Sequence, residues 1–162
     1  MLPQHRNNLE VKKYNYLKEL DKLEEETQQQ LAEIPIEKRI VVTSHDAFEY
    51  LGRELDIQFL APVGLSLDAE ASALDVASVI DLIRQRHITA LFVENITNLR
   101  LLERISAETD VAIGGRLYSD ALSATDGPAS TYLKMMKHNI ESLLYAFGSQ
   151  RRNPKEISEN KN

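Results

Sequence analysis

The chain of 162 residues contains no cysteine, which excludes disulfides, thiolate metal sites and cysteine nucleophiles. No stretch approaches the ~20 apolar residues that a membrane span requires. Residues 1–8 carry no apolar run of signal-peptide length, so the chain as written is expected to lack an export signal and to stay in the cytoplasm. Basic charge is scarce as well. A formal net charge of −6 argues against nucleic acid as a partner, and Arg151, Arg152 and Lys155 are too few to reverse that. Phosphate-loop, dinucleotide-glycine, nucleophile-elbow and zinc-protease signatures are all missing. What is present is ordinary for one globular domain: 43 % hydrophobic and 27 % charged residues.

Residues 9–33 hold neither glycine nor proline. Leu9, Tyr16, Leu17, Leu20, Leu23, Thr27 and Leu31 recur mostly three or four apart, which predicts a long amphipathic helix stopped by Pro35. Lys22 is placed to reach Glu25 and Glu26 across one turn. Such a helix is longer than cover for a small sheet requires. It reads either as a solvated or coiled-coil arm, or as a strut built to touch something beyond the domain.

After Pro35, short apolar runs alternate with helical periodicity. Strands are expected at Ile40–Thr43, Ile57–Ala61, Ala90–Val93 and Val111–Ile113. Helices are expected at about 46–55, 72–87, 98–108 and 129–147. Tyr132, Met136, Ile140, Leu143 and Phe147 form the stripe expected to be buried in the last helix. The alternation implies a four-stranded parallel sheet flanked by helices, an α/β fold preceded by the long helix. The domain boundaries follow: 1–35 for the helix, 36–147 for the α/β unit, and 148–162 for a polar, unpatterned tail expected to be disordered.

Three side chains able to bind a metal stand just past apolar runs: His45, Glu94 and Asp120. In open α/β sheets ligands bind outside the carboxyl ends of the strands, so the three could converge there. Each also has a plainer reading. His45 could be the exposed first turn of a helix capped by Thr43 or Ser44. Asp120 could itself be a cap, and Glu94 a supporting hydrogen-bond partner or a surface acid. His5, His87 and His138 are weaker candidates, and Gly114-Gly115 suggests tight backbone packing.

The segments Lys38–Gly52, Leu65–Ser72, Phe92–Asn95, Gly114–Ser123, Asp126–Pro128 and Tyr132–Asn139 resemble the carboxyl-terminal lobe of the zinc/manganese substrate-binding proteins of ABC importers. This family includes the TroA-like and adhesin-lipoprotein members. The resemblance runs over about residues 8–147, in order. Its most specific parts are Thr-Ser-His-Asp-Ala-Phe at 43–48 and Tyr-Ser-Asp-Ala-Leu-Ser at 118–123.

The resemblance implies a bilobal binding protein without catalytic activity, its lobes joined by one long helix that residues 9–33 would end. Zn²⁺ or Mn²⁺ would be held between the lobes by four side chains, of which His45 and Asp120 are this lobe's two. Glu94 and Ser119 would support them. The family's first lobe has no counterpart in the sequence, so the missing amino-terminal lobe or self-association is expected to cover the exposed surface. An ABC permease would be the partner of the complete protein, at a periplasmic or membrane-associated extracellular location. Alternatives from other classes are a stand-alone α/β interaction module, a non-functional gene fragment, or a small flavodoxin-like enzyme domain.

Overall fold

The computed structural model describes residues 6–43, 46–61, 73–86, 88, 90–94 and 99–148. His5, Ser44, His45, the acidic loop at 65–70, His87, Asn95 and the tail from 149 lie outside the described residues. The chain divides into two compact units, residues 1–33 and 34–162.

The first unit is helix α1, Arg6–Leu31. Lys22 pairs with Glu26 at 3.5 Å, one turn on, and the Thr27 hydroxyl donates back to the Leu23 carbonyl. Leu9, Val11, Tyr14, Tyr16 and Leu17 remain between 42 % and 67 % exposed.

The second unit is the α/β domain. Its strands are β1 (Ile40–Val42), β2 (Gln58–Leu60), β3 (Ala90–Glu94) and β4 (Ile113–Leu117). Its helices are α2 (Glu49–Leu55), α3 (Ala73–Arg86), α4 (Leu99–Thr109) and α5 (Tyr132–Gly148). The sheet is wholly parallel, in the order β2-β1-β3-β4. The chain runs outward to β2 on one side of β1 and to β3 and β4 on the other. The point of reversal lies between β1 and β3, where an α/β sheet opens a crevice at its carboxyl rim.

Alternation of side chains splits the core into two layers. Val42, Leu91 and Val93 pack with Val76, Val79, Ile80 and Ile83 of α3 and with Leu102 and Ile105 of α4. Phe92 and Glu94 point to the opposite face, and α5 packs beside β4. On that side Phe48 stacks on Phe59 of β2 at 5.1 Å between centroids. Arg39 is nearly buried, and its guanidinium donates to the carbonyls of Ile34 and Leu55. That ties the entry of the domain to the end of α2.

Three expectations need correction. Helix α2 begins at Glu49 rather than 46, and no side chain caps it. Thr43 is instead buried beside β2, its N–H donating to the Leu60 carbonyl. The fourth strand lies at Ile113–Leu117, beyond the apolar run Val111–Ile113. The buried stripe of α5 is Met135, Asn139, Ile140, Leu143, Ala146 and Phe147, whereas Tyr132 is half exposed. Ile140, Leu143 and Phe147 are thus buried as expected, and Met135 and Asn139 join them in place of Tyr132 and Met136.

Candidate metal site at the carboxyl rim

The displaced fourth strand is the local device that shapes this rim. Opposite β3 the register jumps, so that Leu91 pairs with Ile113 but Phe92 pairs with Gly115. Gly114 is the extra residue of a bulge, and bulges re-aim the chain that follows them. Both glycines are needed. A Cβ on Gly114 would lie 2.6 Å from the Phe92 ring, and Gly115 has φ +122, a conformation open to glycine alone at low cost. Beyond the bulge the strand regains its pairing and ends with Leu117 beside Glu94.

Glu94 ends β3 with none of its surface exposed, so the surface-acid reading of this residue is wrong. A charged side chain is seldom fully buried without partners. Here the Ser119 hydroxyl donates to Glu94 Oε2 at 3.1 Å, bridging the ends of β4 and β3. Asp120, the next residue, is exposed at the rim. Glu94, Ser119 and Asp120 are thereby brought to one end of the sheet, beside the point of reversal. His45 follows β1 by three residues in the chain and lies outside the described residues. Among the described residues, no group of three or more His, Asp or Glu side chains converges on one point.

β4 is an edge strand, and an open edge leaves backbone groups without a ladder partner. Helix α5 covers this one with two consecutive side chains. His138 Nε2 lies 3.0 Å from the Arg116 carbonyl, and its ring meets Tyr118 edge-on. Asn139, 1 % exposed, accepts from the Tyr118 N–H at 2.9 Å and donates to the Tyr118 carbonyl at 2.8 Å. His138 stands beside the expected apolar stripe, whereas nothing in the sequence marks Asn139 for the interior. Past Asp120, the loop is closed where Ser123 and Ala129 exchange hydrogen bonds, and the Thr131 hydroxyl caps α5 at the Lys134 N–H. Between α2 and α5, next to Ser119, lies an open cleft of about 420 Å³ walled by Phe48, Leu51, Tyr118 and Met135.

Comparison with known proteins gives one consistent answer. Residues 1–146 match the family described as zinc-uptake complex component A, periplasmic. The chain is 32 % identical over 150 residues to the manganese-binding lipoprotein MntA of Bacillus subtilis, covering 90 % of this chain and 49 % of that protein. It is 35 % identical over 138 residues to the zinc-binding protein TroA of Treponema pallidum, covering 81 % and 44 %. The solved structure of the periplasmic zinc-binding protein TroA superimposes with a TM-score of 0.77 at 31 % identity, over 90 % of this chain and 55 % of that one. A manganese-bound periplasmic metal-binding protein from Candidatus Liberibacter asiaticus gives 0.76 at 25 %, over 90 % and 54 %. The chain thus spans about half the length of the relatives it matches.

Proposed function

The chain belongs to the periplasmic zinc-uptake component A family, and from that premise we propose that it forms one lobe of a divalent-metal-binding protein serving an ABC importer. His45 and Asp120 are its two metal ligands. The observation that supports this best is the bond from Ser119 to buried Glu94, which ties the residue before Asp120 to the carboxyl end of β3, at the rim where β1 also ends. An imidazole and a carboxylate suit Zn²⁺ and are accepted by Mn²⁺. Two protein ligands are half of a tetrahedral set, so water completes the shell when the lobe acts alone. The lobe binds and releases an ion and performs no catalysis. Delivery to a permease, at a periplasmic or membrane-associated extracellular location, is the role of the complete protein.

Calorimetric titration with Zn²⁺ tests the assignment. The chain should bind one ion weakly, and His45→Ala and Asp120→Ala should each weaken binding about tenfold or more. A stoichiometric complex that survives both substitutions together would remove these two residues from the site.

Leu9, Tyr16 and Leu17 are exposed and share one side of α1 by their helical spacing, which favours a protein partner on that side of the helix. The natural occupant is the other lobe, and in its absence a second copy of the chain. Sedimentation of the isolated chain should therefore reveal self-association that Leu9→Glu combined with Tyr16→Glu reduces. A strictly monomeric wild-type species would count against an interface there.

A further inference from the structure

We propose that Asn139 of α5 is a positioning residue for metal binding: its side-chain amide fixes the backbone of Tyr118, and through it the placement of Asp120. This rests on the reading of Asp120 as a ligand. The amide of Asn139 behaves as a piece of a fifth strand. It presents one acceptor and one donor in a plane and engages both backbone groups of Tyr118, at 2.9 and 2.8 Å. Among short side chains asparagine carries its donor and its acceptor on separate atoms of one plane, whereas a hydroxyl would have to serve both backbone groups from a single oxygen. Aspartate has no donor, and leucine has neither group.

The clamp lies where it has most effect. Tyr118 is the first residue past β4, and Ser119, which bonds to Glu94, separates it from Asp120. Asp120 is itself exposed, so little packing holds its loop. Two anchors, from α5 to Tyr118 and from β3 to Ser119, fix the backbone immediately before it. Hydrogen-bond partners that orient ligands commonly change metal affinity 10- to 100-fold when removed. The consequence is a mechanical link: a shift of α5 against β4 moves Asp120, and binding of an ion at Asp120 tightens α5 onto the sheet edge.

The test uses Mn²⁺ as probe, with bound metal read from the loss of the free-ion EPR signal and from water-proton relaxation. Asn139→Ala should weaken Mn²⁺ binding about tenfold. Asn139→Asp keeps the acceptor for the Tyr118 N–H but sets a second oxygen against the Tyr118 carbonyl, and should bind no better than the alanine variant. The decisive comparison is a cycle with Asp120→Ala. If Asn139 acts through Asp120, its removal changes nothing further in that background, whereas a general loosening of the fold adds its own loss. Full affinity in Asn139→Ala, or additive losses, overturns the proposal while leaving Asp120 as a ligand. An undiminished affinity in Asp120→Ala instead removes the site itself.

A measurement on the unaltered chain does not depend on any variant folding. Saturating Zn²⁺ should slow hydrogen exchange at the Tyr118 amide severalfold. Unchanged exchange with the ion bound would also overturn the link.

Discussion

Phe92→Ala is expected to lower folding stability by about 3–5 kcal/mol, in the range for emptying a buried aromatic site. The ring is fully buried in the middle of β3 and fills the space over Gly114. That shared space yields a second, opposite test. Gly114→Ala should cost about 1–3 kcal/mol by overpacking, because a fully buried ring has little room to withdraw. Combining Gly114→Ala with Phe92→Leu should recover part of that loss, since a smaller side chain makes room for the methyl group. Urea unfolding of the wild type, each single variant and the pair checks all of this. Strictly additive losses would mean that the ring and the glycine do not compete for one volume.

Removing the carboxylate at the end of β3 comes next in size. Glu94→Ala should destabilise by about 2–3 kcal/mol, because it empties a fully buried position and takes the acceptor from the Ser119 hydroxyl. Glu94→Gln preserves volume and a side-chain carbonyl for Ser119, and should cost only about 1 kcal/mol. Both should also weaken Zn²⁺ binding, the alanine variant more, because the residue before Asp120 loses its tether. Denaturant midpoints and calorimetry on the same samples measure the two effects side by side. A Glu94→Ala protein as stable as its parent would show that this bond does not hold the rim together.

Most of the architecture was legible because parallel α/β units write it twice, in apolar runs and in helical spacing. Val76, Val79, Ile80 and Ile83 are all buried, as their periodicity required. The failures occur where backbone geometry overrides side-chain pattern. β4 continues through Gly114, Gly115 and Arg116 because β3 supplies a ladder, although nothing in those residues favours a strand. In α5 Ile140, Leu143 and Phe147 are buried as their spacing required, while Asn139 is buried for its two backbone partners, which apolar spacing does not reveal. The sequence leaves Glu94 open between a surface acid and a supporting partner, because burial of a carboxyl depends on what awaits it, and Ser119 lies 25 residues away. The Gly114-Gly115 pair does allow a close approach, but its larger effect is the shift of register.

The order of the strands also bears on when the crevice can come into being. β1 pairs Ile40 with Gln58 on one flank but Val41 with Ala90 on the other. The second pairing closes a loop of 49 residues against 18, at an extra entropic cost of about 0.9 kcal/mol. During synthesis the β1–β2 half is available first, and the half bearing Ser119 and Asp120 leaves the ribosome last. The rim is therefore expected to form late in folding, with no part for an ion in its early nucleus. Metal added to the refolding chain should leave the folding rate unchanged and slow only unfolding.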